Sequence, residues 1–167
     1  MIVLLYFKER VSVIVDNIPF YINPTFRKVF KSIMASYDKN LDLHDILKLQ
    51  ITNLITNKED VSKLTAEGII ELQNKLWLCI ADLTPKEQLM IQAAKDFEVD
   101  SIFDYVYDYK YIYPSFMAEY NIDLERNDKL TWFEFKSLFM GLSDKSRIKQ
   151  VIHIRTMKMP SLTKDAE

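Results

Sequence analysis

The side chains best suited to catalysis are few in this chain: two histidines, one cysteine and a run of carboxylates. His44 lies in Leu41-Asp42-Leu43-His44-Asp45-Ile46, flanked by aspartates near a predicted helix start. A metal centre or an acid–base pair would need further ligands at defined spacing, and the other histidine, His153, is far along the chain. Neither is accompanied by a His-Glu-x-x-His run or a cysteine cluster. Both histidines therefore read as structural. Cys79 falls within Leu76-Trp77-Leu78-Cys79-Ile80, where a lone thiol is expected to be a small buried hydrophobe.

The carboxylates Asp96, Glu98, Asp100, Asp104 and Asp108 raise a glycosidase or a calcium site. A hydrolase sets one of its acids in an apolar pocket. Here Asp100, Asp104 and Asp108 recur every fourth residue and read as a solvated helical stripe. An EF-hand would need a central glycine and a twelfth-position glutamate, which this run lacks. The chain's two glycines, Gly68 and Gly141, leave no Gly-x-Gly-x-x-Gly and no Walker loop. The expectation is a non-enzyme with no catalytic, metal or cofactor site.

The richest stretch runs from Asp100 to Met159, dense in Tyr, Phe and Trp interleaved with acids. Rings that stack on bases come with a basic groove, yet the formal net charge is −2. Nucleic acid is therefore not expected as a partner. Tyr, Trp and Arg are also the residues enriched at protein interfaces. The reading is a packed aromatic core on one face and a protein-binding surface on the other.

Helices must carry most of these residues, because glycine poverty argues against a turn-rich β protein. The fold class expected is mostly α (α+β): a multi-helix bundle with a short N-terminal β-hairpin. The hairpin reads as Val11–Val15 and Ile18–Ile22 around Asp16-Asn17, with Pro19 at an edge. Asn23-Pro24 reads as a helix start, with Phe26, Val29, Phe30, Ile33 and Met34 on one face. A second helix begins near Asp42, a loop covers 56–63, and a third helix begins at Thr65. Thr84-Pro85 opens a connector helix.

In the aromatic stretch, alternate tyrosines suggest a strand, but helical spacing explains more residues. Ile102, Val106, Tyr109, Ile112, Tyr113, Phe116 and Tyr120 share one face of a helix over about 101–120, kinked at Pro114. Trp132, Phe135, Leu138 and Phe139 line the next helix, which Gly141 stops. Ser143 is expected to cap a last helix over 144–157, with Ile148, Val151, Ile152 and Ile154 inward.

At 167 residues, 49% hydrophobic and 28% charged, the chain reads as one globular domain over 1–159. Within it, 1–83 holds the hairpin and helices, 84–99 the connector and 100–159 the aromatic module; 160–167 is a polar tail. The single cysteine makes an oxidising compartment unnecessary. Apolar runs fall far short of the ~20 residues that span a bilayer. The start, MIVLLYF, lacks the basic leader and cleavage site of a signal peptide. A cytosolic protein without membrane contact is expected.

From Phe103 onward the sequence resembles the gene-product-fifteen family of siphophages and prophages of Gram-positive bacteria. The likeness rests on Tyr111-Ile112-Tyr113 and Phe116, then Tyr120-Asn121-Ile122-Asp123-Leu124. It continues through Leu130-x-Trp132-x-x-Phe135, Gly141-Leu142-Ser143, and Ile152 with Arg155. The N-terminal hairpin followed by Phe26-Arg27 is similar too, while Pro114 and Asn121 depart from the pattern. The resemblance implies a tail-assembly chaperone in the host bacterial cytoplasm, binding the tape-measure protein and tail-tube subunits, with a homo-oligomer also allowed. It marks Tyr109, Tyr113, Phe116, Tyr120, Trp132, Phe135 and Arg155 as protein-binding or family-signature positions. The rival classes are a structural tail or connector protein kept in the virion and an acidic anti-host effector.

Overall fold

Both central residues of the N-terminal turn, Asp16 and Asn17, take positive φ, 50° and 61°. That is the geometry a two-residue type I′ hairpin demands, and Asp and Asn tolerate it better than other non-glycine residues. A computed structural model describes residues 12–81 and 102–157 of the chain. Strands β1 (Ser12–Val15) and β2 (Ile18–Tyr21) pair antiparallel, with Val15 opposite Ile18 and Ser12 opposite Tyr21. In this register Pro19 and Tyr21 aim their backbone groups away from β1. The missing N–H of Pro19 therefore removes nothing from the ladder. The outer edge is covered by the Asn57 amide, which accepts from Tyr21 N–H at 3.0 Å and donates to the Pro19 carbonyl at 2.9 Å. Covering the edge this way blocks pairing with another chain.

Helices follow: α1 (Phe26–Ala35), α2 (Leu43–Leu54), a 3₁₀ helix (Lys58–Lys63) and α3 (Ala66–Ala81). Beyond them come α4 (Tyr109–Tyr120), α5 (Trp132–Gly141) and α6 (Arg147–Thr156). The protein is mostly α with a small β part. It divides into two compact units. One combines the residues before 100 with Leu124–Met140; the other combines Asp100–Asp123 with the residues from Gly141 onward.

In the first unit, alternation and helical spacing put Val15, Phe20, Phe26, Val29, Leu54, Leu72 and Leu76 in the core. Phe26 is the centre of a ring cluster, 4.4 Å from Phe135 and 5.9 Å from Trp132 between centroids. The backbone is stitched at the same place. Phe26 N–H donates to the Leu130 carbonyl at 2.8 Å, and Trp132 N–H to the Pro24 carbonyl at 2.6 Å. Helix α5 starts on a capping box: Thr131 Oγ1 accepts from Glu134 N–H at 3.2 Å while Glu134 Oε2 accepts from Thr131 N–H at 2.8 Å. Gln50, 3% exposed, sits where α1, α2 and α3 meet. Its amide donates to the Ser32 carbonyl and Ser36 Oγ, and accepts from Gln73 and Trp77, so its bonding capacity is filled.

In the second unit, α4 and α6 bury Ile112, Phe116 and Ile148. Ser115 Oγ donates to the Tyr111 carbonyl at 2.7 Å and accepts from Ile148 N–H at 3.3 Å, satisfying one of the orphan donors of α6's first turn. Asn121 ends α4 in the left-handed region at φ 53°, and Ile122 N–H reaches back to the Phe116 carbonyl at 3.3 Å. A residue following the helix in this conformation favours glycine and admits asparagine, which accounts for Asn121 at that position.

Several boundaries differ from the sequence expectation. Helix α1 starts at Phe26 with Thr25 as its N-cap, because Asn23 turns its carboxamide oxygen onto Thr25 N–H and Oγ1 instead. The expected loop 56–63 winds into the 3₁₀ helix. Helix α4 begins at Tyr109 and not near 101, since Asp104 Oδ1 captures the N–H groups of Val106 and Tyr107 in a local turn. Helix α6 begins at Arg147, capped by Ser146 rather than Ser143. Ser143 is bound instead by Glu119, whose carboxylate accepts from its N–H at 3.0 Å and its hydroxyl at 2.7 Å. Ile154, expected inward, is 67% exposed. Cys79 is half-buried rather than in the core. The 100–159 stretch is shared between the two units. The connector over 84–99, the polar tail and the carboxylates Asp96, Glu98 and Asp100 lie outside the described residues.

Candidate protein-binding surface

The signature residues separate by burial. Phe116, Trp132 and Phe135 are 0%, 3% and 1% exposed, so they build cores and offer a partner no surface. Trp132 and Phe135 stack 5.2 Å apart in the first unit. Phe116 packs edge-on against Tyr120 at 5.7 Å in the second. Tyr109, Tyr113 and Tyr120 are half-buried, with Tyr109 and Tyr113 tilted against each other one turn apart at 6.0 Å. Among the nominated rings these three tyrosines are the ones with a solvent-exposed edge.

Arg155 has a defined task. Its guanidinium grips Asp108 with two parallel bonds, 2.6 Å to Oδ2 and 2.8 Å to Oδ1, and reaches the Ile102 carbonyl at 3.2 Å. Asp108 is 2% exposed and also accepts from Asp104 N–H at 2.9 Å. The Arg155 fork, joined by the Asp104 amide, holds the Asp108 carboxyl below the usual carboxylate range against the opposing pull of burial. This overturns the solvated-stripe expectation for Asp108: the helix does not extend back to Asp104, so the two carboxylates are not on one helical face. Sequence offered one sign of the pairing, an arginine among apolar residues of a late helix. Glu119 is likewise lowered, chiefly by Ser143 N–H and then its hydroxyl.

Asp42, His44 and Asp45 bring their ligand atoms within 4.8 Å of one another, all exposed at the start of α2. Asp42 Oδ1 is already engaged as the N-cap, accepting from Asp45 N–H at 2.8 Å.

The first unit holds an open groove of about 300 Å³. One wall is α2, with Leu47 and Ile51 one turn apart and Ile55 at its C-cap; the other is Val61 of the 3₁₀ helix and Ile69 of α3. His44, Lys48 and Lys58 line it as well. Ile51 and Ile55 are buried at its floor, while Leu47, Val61 and Ile69 are half-buried along its sides. The sequence marked a helix from near Asp42, but the facing wall comes from the segment read as a loop and from the third helix. No helix among the described residues is long and apolar enough to cross a membrane.

No curated protein and no solved structure was found to match the chain. Residues 8–167 do match the family described as Bacteriophage Gp15 protein. With a match that runs over nearly its whole length, on a mostly helical chain, this protein belongs to the bacteriophage Gp15 family.

Proposed function

We propose that this chain is a non-catalytic chaperone of phage tail assembly, acting in the host cytoplasm on the tape-measure protein and tail-tube subunits. Family membership supports a phage role, and the observation that carries the reading further is the open apolar groove along α2. A tape-measure protein is long and helical, and before the tube encloses it its apolar stripes face water. Covering such stripes reversibly is a task for helix-in-groove recognition, in which anchors one turn apart enter an apolar cleft.

Co-expression with the tape-measure protein encoded beside it is the direct test. The expected outcome is a soluble complex that co-elutes on gel filtration and a client that precipitates without the chain. A client that stays insoluble with no complex formed refutes the chaperone reading. Mass spectrometry of purified virions separates it from a structural tail component, since a chaperone is absent from the finished particle.

A further inference from the structure

We infer that the α2 groove takes one amphipathic helix of another protein, whose apolar anchors are flanked by aspartate or glutamate. The inference rests on the reading that the chain binds a helical client, and it adds where the client sits and what charge it carries. Length supports a helix as occupant. The lining runs along α2 from His44 to Thr52, which at ~1.5 Å per residue gives a trough of roughly 12 Å, about two helical turns. Leu47 on one side and Val61 and Ile69 on the other are half-buried and offer apolar contact to a partner helix, above a floor closed by Ile51 and Ile55.

Charge supports the acidic flank. The ionisable side chains lining the groove are His44, Lys48 and Lys58, and no carboxylate lines it. Of the acids beside it in sequence, Asp60 is held by Lys63 at 2.6 Å and by Asn57 at 2.7 Å, Asp45 lies 3.8 Å from His44 Nδ1, Asp42 Oδ1 accepts from Asp45 N–H at 2.8 Å, and Glu59 is exposed next to Lys58. Lys48 and Lys58 are both exposed, so their ammonium groups stand in water at the rim while the floor is apolar. Such a rim selects among helices of equal hydrophobicity by attraction to acids and repulsion of lysines. A second copy of this chain is the competing occupant.

Two fluorescein-labelled synthetic helical peptides test this, sharing leucines at i, i+3, i+4 and i+7 and differing only in glutamate or lysine at the flanks. Fluorescence anisotropy against the full chain is expected to show binding of the glutamate peptide and at least tenfold weaker binding of the lysine peptide. The doubly reversed variant Lys48→Glu/Lys58→Glu, changed only at exposed positions, is expected to invert that preference with its melting temperature unchanged. Equal binding of the two peptides, or a preference that survives the reversal, overturns the inference. So does a concentration-dependent dimer in light scattering that Thr52→Trp, placed on the groove wall, converts to monomer. The same reversed variant separates this idea from the chaperone reading. If the tape-measure complex forms and persists with the variant, the groove assignment falls and the chaperone reading stands. If no tape-measure complex forms while the glutamate peptide binds and responds to the reversal, the groove stands with a different client.

Discussion

Asp108 and Arg155 show how one residue pair can explain a sequence signature without any chemistry. Arg155 binds both oxygens of a carboxylate that water scarcely reaches, and removing either partner leaves the other's needs unmet. Arg155→Ala leaves a buried carboxylate without its partner and is therefore expected to lower the unfolding midpoint, less than a fully buried pair would because the guanidinium is 43% exposed. Arg155→Lys should recover only part, since an ammonium cannot form the two-pronged contact. Urea unfolding followed by circular dichroism measures both, and an Arg155→Ala variant of unchanged midpoint would refute the role.

The pair also sets a pH dependence. Asp108 is lowered in the folded state relative to the ~3.9 of an unfolded aspartate, so its contribution is present above that value. It is lost as pH falls through the folded value. Glu119 acts in the same direction. Melting temperature is expected to hold from neutrality to about pH 5 and then drop below about pH 4. Asp108→Asn should start lower and drop less steeply. A wild-type melting temperature that stays constant down to pH 3 would contradict this.

At the scale of elements, the most instructive case is Pro114, inside α4 and exposed. It stands beyond the first turn, so the helix lacks the N–H that would have met the Lys110 carbonyl. An interior proline costs a helix ~3 kcal/mol, and here the residue is exposed and not part of the buried core. Pro114→Ala is therefore expected to stabilise the protein by about 1–3 kcal/mol, the range set by that penalty. Thermal and denaturant unfolding test it, and a loss of stability would mean that the proline shapes α4 in a way the packing needs. Periodicity made α4 legible as a helix because Ile112 and Phe116 fall four apart on its buried side. Its start was not legible, because Asp104 and Asp108 look like surface charges in a list of residues. Only their hydrogen bonds make one a turn cap and the other a buried ligand of arginine. Gln50 was missed for the same reason: a glutamine beside an apolar stripe reads as solvent-facing until four partners surround it.

On the scale of the whole molecule, the chain crosses from the first unit to the second and back before finishing in the second. Leu124–Met140 thus completes the N-terminal core from a distance, through the Thr25–Thr131 bridge and the rings of Trp132 and Phe135 around Phe26. A chain ended at residue 123 would lack those rings and the Leu130 carbonyl that receives Phe26 N–H. Such a truncation is expected to lose cooperative unfolding and near-ultraviolet dichroism, whereas Phe26→Ala in the full chain should cost ~3–5 kcal/mol. A truncated chain that melts sharply would show that the N-terminal helices need no help from α5.

What the sequence determined by itself follows from local physics. The Asp16-Asn17 turn, the helical class, the amphipathic faces and the absence of glycine-built phosphate loops depend on neighbours within a few residues. The family signature belongs here too, since its spacing was visible before any fold was known. Tertiary structure decided what each signature residue is for. The rings of Trp132 and Phe135 around Phe26 and the Asp108–Arg155 grip join segments distant in sequence, and the α2 groove takes its second wall from the segments that follow the helix. Helical periodicity tells which side of a helix is apolar, but it carries no information about which other segment arrives to cover that side or leaves it open.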